Sequence, residues 1–130
     1  MSTLNLEVAA ALNELKITAH SLEGVDDCLL LTPLGTIRST SGEQFRSHVD
    51  QLLEQTAVPS LVIDFGGVDY IDSSTAGYLL KVHDRLSTKG GKLALAGLHA
   101  AVRVVIDSIG LTTFFTVCET VEEAVHEIGS

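Results

Sequence analysis

The feature that most constrains the fold of this chain is the apolar run Leu61-Val62-Ile63-Asp64-Phe65, followed shortly by Asp72-Ser73-Ser74-Thr75-Ala76-Gly77. A strand without polar alternation must be covered on both faces, as inside a largely parallel sheet. The hydroxyl-rich stretch reads as a short connection and then a helix start. Ala76, Leu79, Leu80, His83 and Leu86 share one face up to about Lys89, and Gly90-Gly91 ends the pattern. Two exposed hydroxyls at a helix start, beside a carboxylate, are open to three readings: a plain cap, a nucleophile or a phosphate acceptor.

The remaining sequence alternates in the same way. Leu4, Val8, Leu12 and Leu15 recur at near-helical spacing, which predicts a short helix over residues 4–14. From Lys16 to Glu23 the pattern alternates with Ile17 and Ala19 on one face; Gly24-Val25-Asp26-Asp27 is a turn, and Cys28 to Leu31 is a buried strand, which together make a hairpin. Pro33 cannot donate a ladder bond and is expected at a frayed strand end or a bulge. Ser39-Thr40-Ser41 offers N-caps for a helix with Phe45, Val49, Leu52 and Leu53 inward and Arg46, His48, Asp50, Gln51 and Glu54 on the wet face. Lys92–Ala96 is a strand, His99–Ile109 a helix with Val102, Val105, Ile106 and Ile109 inward, Phe114–Val117 a last strand, and Val121, Ala124, Val125 and Ile128 mark a closing helix. The fold class is therefore a single α/β domain: a mixed, mainly parallel sheet with an N-terminal β-hairpin and about four helices, plus an extra N-terminal helix. The boundaries are 1–15 for the helical extension and 16–130 for the domain.

Composition narrows the function. With 17 acidic against 8 basic residues the formal net charge is −9, and the bases are scattered, which argues against nucleic acid. The apolar runs are too short to span a bilayer and the first residues lack a secretion signal, so a cytoplasmic protein is expected. Cys28 and Cys118 are expected to be free thiols. The five histidines make no metal-binding spacing, and no cofactor is implied. A nucleophile elbow needs G-x-S-x-G, which neither Ser73 nor Ser74 satisfies, and His83 falls on the apolar face. Ser87-Thr88-Lys89-Gly90-Gly91-Lys92 lacks the spacing of a phosphate loop and runs from helix to strand. Asp64 lacks the acidic pair and the lysine that a phospho-aspartate site requires. Gly77, inside the first turn, costs about 1 kcal/mol relative to Ala, which suggests either a close approach by another chain or backbone or packing against the sheet.

The stretch Leu61 to Leu80, with Gly90-Gly91-Lys92-Leu93-Ala94-Leu95-Ala96-Gly97 and Ile109-Gly110-Leu111, resembles the STAS domains of bacterial anti-sigma factor antagonists over roughly residues 16–128. The resemblance implies a non-enzymatic binding protein in which Ser73 accepts a phosphate from a serine kinase that is itself the anti-sigma factor. The unphosphorylated form binds that kinase and frees a sigma factor; a PP2C-type phosphatase restores it. Asp72, Ser74, Thr75, Gly77 and Arg38 are then partner-binding, with Ser74 the supporting cap. Thr75 and Ala76 stand where the family commonly has Gly and Leu, which crowds the approach to Ser73, and Arg38 stands near a common Asp. The N-terminal helix is an addition, read as a homodimer contact or as the cover of a sheet edge. A non-switched scaffold subunit of a lipid transporter or signalling assembly is the alternative.

Overall fold

Along the chain the elements are β1 (Leu6–Ala9), β2 (Leu15–Ser21), β3 (Cys28–Ile37), α1 (Ser39–Gln55), β4 (Ser60–Asp64), β5 (Gly67–Ile71), α2 (Ser73–Ser87), β6 (Leu93–Ala96), α3 (Ala100–Ser108), β7 (Thr116–Cys118) and α4 (Val121–Gly129). They are seen in a computed structural model that describes residues 6–9, 15–22, 28–56, 60–110 and 113–129. The strands run in the order β1-β2-β3-β4-β6-β7, with β5 paired to the far half of β3. β1, β2 and β3 are antiparallel, and every later pairing is parallel. The mixed sheet and the β2–β3 hairpin are as the sequence pattern requires; the hairpin's turn lies outside the described residues.

The apolar run became β4, with Leu61, Val62 and Ile63 fully buried. Successive residues of a strand point to opposite faces, so Leu61, Ile63, Leu93 and Leu95 join one core with α1, α2 and α3. Val62, Ala94 and Ala96 join a second with Ala124 of α4. Three helices thus cover one face of the sheet and one helix covers the other. Phe45, Val49, Leu52 and Leu53 are the buried stripe of α1, as their spacing predicts.

Four expectations need correction. Leu6–Ala9 is a strand, not part of a helix, and pairs with β2 from Leu6 opposite Ala19 to Ala9 opposite Lys16. Leu6-Glu7-Val8 also alternates with a period of two, and the open edge of β2 satisfies backbone groups that a short helix satisfies only marginally; residues 10–14 lie outside the described residues. Pro33 sits inside β3, opposite Ile17. β4 pairs β3 as far as Leu31 and pairing with β5 begins at Leu34, so a residue without an N–H falls in the gap between the two partners. The connection after Phe65 is itself a strand, β5, with Val68 and Ile71 buried. Finally, Ile109 is 41% exposed rather than inward, and the last strand begins at Thr116, with Phe114 53% exposed before it. No helix among the described residues is long and apolar enough to cross a membrane.

Candidate functional site

β3 and β5 end side by side, with Ile37 opposite Ile71, and each leads into a helix after one intervening residue, Arg38 or Asp72. The Asp72 amide donates to the Ile37 carbonyl at 3.0 Å. The N-termini of α1 and α2 therefore meet at the carboxyl edge of the sheet, where unpaired amides and two positive dipole ends are concentrated.

Asp72 fills that spot. Its Oδ1 accepts the Thr75 amide at 2.8 Å, capping α2, and its Oδ2 accepts the Ser39 amide of α1 at 3.2 Å. One carboxylate ties two helix starts together. Ser39 holds a φ of 52°, a left-handed conformation costly outside glycine, and the bond to Asp72 helps to keep it there. Burial pushes the Asp72 carboxyl up, but the hydroxyl and amide of Thr75, the Ser39 amide and the Arg46 charge outweigh it and hold its pKa below the usual carboxylate range. The Thr75 hydroxyl acts on the carboxylate by proximity, outside hydrogen-bond geometry.

Ser73 and Ser74 are exposed on the first turn of α2. Their amides precede the first intrahelical bond, in which Ala76 donates to the Asp72 carbonyl at 3.1 Å. Asp72, not Ser74, is the cap. Thr75 is fully buried between the helices, and Ala76 in the core, so neither crowds the approach to Ser73. A Cβ placed on Gly42 of α1 would lie 3.4 Å from Thr75 Oγ1 and 3.6 Å from Asp72 Oδ2, so a small residue lets α1 approach this start of α2. The hydroxyl run before α1 does not cap it through Ser39. Ser41 acts instead, its Oγ accepting the Arg38 amide at 3.0 Å and donating to the Thr36 carbonyl at 2.8 Å. The Arg38 side chain is exposed at the same edge.

Gly77 is the least expected residue of this group. Among the described residues, nothing beyond its chain neighbours and the adjacent backbone of its own helix lies within 4 Å of the position its Cβ would take. Nothing in the fold requires glycine there, so Gly77→Ala should raise stability by about 1 kcal/mol, the helix-propensity difference, as read from chemical denaturation midpoints at constant m-value.

Arg46, assigned by spacing to the wet face, is half-buried and turned toward Asp72, and its Nη1 lies 3.3 Å from the Gly42 Cβ position. The signal available in the sequence was the pair Gly42 and Arg46, one helical turn apart. His48, also expected in water, has a buried and unpartnered Nε2, and burial lowers its pKa. His83 packs edge-on against Phe115 at 6.0 Å between ring centroids, so it is no base for Ser73 or Ser74. Cys28 and Cys118 are free thiols, with burial pushing Cys28 up to about 11. Among the described residues no His, Cys, Asp and Glu group suits a metal ion.

The STAS domain profile matches residues 19–124. The chain is 27% identical over 104 residues to a candidate anti-sigma factor antagonist, BtrV of Bordetella bronchiseptica, across 80% of this chain and 89% of that protein. An anti-sigma factor antagonist from Mycobacterium paratuberculosis has a similar structure, with a TM-score of 0.75 and 20% identity over 95% of this chain and 100% of that one. The anti-sigma factor antagonist SpoIIAA in its unphosphorylated form gives 0.69 and 23%, over 82% and 92%. The phosphorylated form of SpoIIAA, a Bacillus cell fate determinant, gives 0.62 and 22%, over 82% and 96%. Sequence motif, strand order and the helix start at the carboxyl edge of β5 agree with a profile that spans most of the chain, and the protein belongs to the STAS domain family.

Proposed function

We propose that this chain is an anti-sigma factor antagonist, a protein-binding switch rather than an enzyme, and that Ser73 is its phosphoacceptor. The observation that carries the reading is the exposed Ser73 hydroxyl at the first position of α2, beside a cap that does not depend on it. A phosphate brings about −1.5 to −2 charge and three acceptor oxygens. At this helix start it meets free amides and a positive dipole end, so the fold tolerates it. The partner is a serine kinase that is itself the anti-sigma factor. Binding it frees a sigma factor in the cytoplasm, phosphorylation ends binding, and a PP2C-type phosphatase resets the switch.

In this reading residues 16–130 form the working domain. Ser74, Gly77 and Arg38 contact the partner, Asp72 holds the helix start beside it, and Thr75 contributes from within. The alternative is a non-switched scaffold, which Arg38 favours; Leu6–Ala9 pairs in the sheet and gives it no helix among the described residues.

With purified kinase and ATP, intact-mass spectrometry should show one added phosphate on wild type and none on Ser73→Ala. Labelling that persists in Ser73→Ala removes Ser73 from the role.

A further inference from the structure

The outer surface of α2 below Ser73 carries a feature that neither packing nor the phosphoacceptor accounts for. Between α1 and α2 runs an open groove of about 390 Å³ lined by Arg46, Asp50, Tyr78, Lys81, Val82 and Arg85. Three of the chain's eight Lys and Arg residues gather here, in a protein of formal net charge −9. Its one acid is already engaged: Asp50 Oδ1 accepts the Tyr78 hydroxyl at 2.5 Å and faces Arg85 Nη1 at 3.5 Å. The Tyr78 hydroxyl lies 3.2 Å from the Arg46 carbonyl as well, which fixes the groove floor to both helices. Lys81 is exposed and faces no carboxylate at ion-pair distance among the described residues. Glu43, Glu54 and Asp84 are exposed on the same two helices and bound the positive patch.

Ser73, Gly77 and Lys81 are spaced i, i+4, i+8 and so form one ridge of α2. Gly77 is a notch in that ridge which nothing among the described residues fills. A notch between a phosphoacceptor and a basic groove is the shape left for a second backbone crossing the helix. We infer that the kinase footprint extends from Ser73 across Gly77 into the α1–α2 groove, where carboxylates of the partner meet Lys81, Arg85 and Arg46. This rests on the proposed function and adds the chemistry of the partner: an acidic segment on a kinase that binds an acidic protein. Charge complementarity of this kind sets register and partner choice.

The test is the affinity of the unphosphorylated protein for its purified anti-sigma factor kinase, by calorimetry at low and high salt. Wild type should bind and weaken with salt. Lys81→Glu should bind at least about tenfold more weakly at low salt, keep its melting temperature and lose most of the salt dependence, while Lys81→Arg should bind like wild type. Gly77→Leu should also weaken binding, by filling the notch. If Lys81→Glu binds as wild type does while Ser73→Asp does not, the groove is no part of the footprint and the switch stands. If Lys81→Glu alters self-association and leaves kinase affinity unchanged, the groove belongs to a second copy of the chain and the inference is overturned. If wild type binds no such kinase, the switch and the inference fall together.

Discussion

Phosphorylated protein, or the Ser73→Asp variant, should bind the anti-sigma factor kinase at least about a hundredfold more weakly than wild type, with little change in thermal stability. Two facts set the size of the effect. Ser73 is exposed, so the free protein solvates the new charge with water and with the amides at the start of α2. In the complex that charge must lose water beside Asp72, whose carboxylate is ionised at neutral pH and is already engaged by the amides of Thr75 and Ser39. Placing like charges together at an interface costs several kcal/mol, and each 1.4 kcal/mol is about tenfold in affinity. Ser73→Ala should bind nearly as wild type does, because the hydroxyl is exposed and makes no hydrogen bond among the described residues. Calorimetric titration of the three forms decides the matter. Equal affinity for the phosphorylated and unphosphorylated protein would mean that the switch is not at this helix start.

Asp72→Ala should lower the free energy of unfolding by about 2–3 kcal/mol. Loss of an N-cap alone costs about 0.5–2 kcal/mol, and Asp72 also accepts the Ser39 amide across to α1. With that bond gone, nothing offsets the left-handed Ser39 or the unpaired amide. Asp72→Asn should cost less, since Asn caps about as well, and it isolates the charge. The folded pKa of Asp72 lies below its ordinary value of 3.8. The ionised form is therefore favoured more in the folded state than in the unfolded one. Its contribution is fully present above pH 3.8 and is lost as the pH falls through the lower folded value. The stability gap between wild type and Asp72→Asn should accordingly close in strong acid and stay constant from pH 5 upward (about one unit above 3.8), as followed by urea denaturation at several pH values.

The two variants also separate the roles of neighbouring residues. Ser73 is predicted to matter for binding and hardly for folding, Asp72 for folding first. A result in which Ser73→Ala unfolds the chain, or Asp72→Ala leaves it unchanged, would reverse the assignment of cap and acceptor.

Much of this arrangement was legible in the residues. The unalternating Leu61-Val62-Ile63 fixed a strand covered on both sides, because an apolar side chain on either face of a strand needs a layer against it. The spacing of Phe45, Val49, Leu52 and Leu53 fixed the buried face of α1 for the same reason. The change from strand to helix at Asp72 was visible in its capping chemistry. Two local readings went astray where periodicity was ambiguous. Leu6-Glu7-Val8 fits a period of two as well as a helical stripe, and only the free edge of β2 selected the strand. Gly67 to Ile71 looked like a connection because it is short and half polar, yet the second half of β3 was open to pair with it.

The sequence by itself determined the alternation of strands and helices, the covered faces of the central strands and the position of Ser73 at a helix start, because each depends on local spacing and backbone chemistry. Only the tertiary structure decided which carboxylate caps which helix, that Thr75 points inward while Ser73 points out, and that Arg46, Lys81 and Arg85 share one groove. Those outcomes require α1 and α2 to start side by side. That follows from β5 pairing with the far half of β3, a contact between residues some thirty positions apart that no local pattern of side chains encodes.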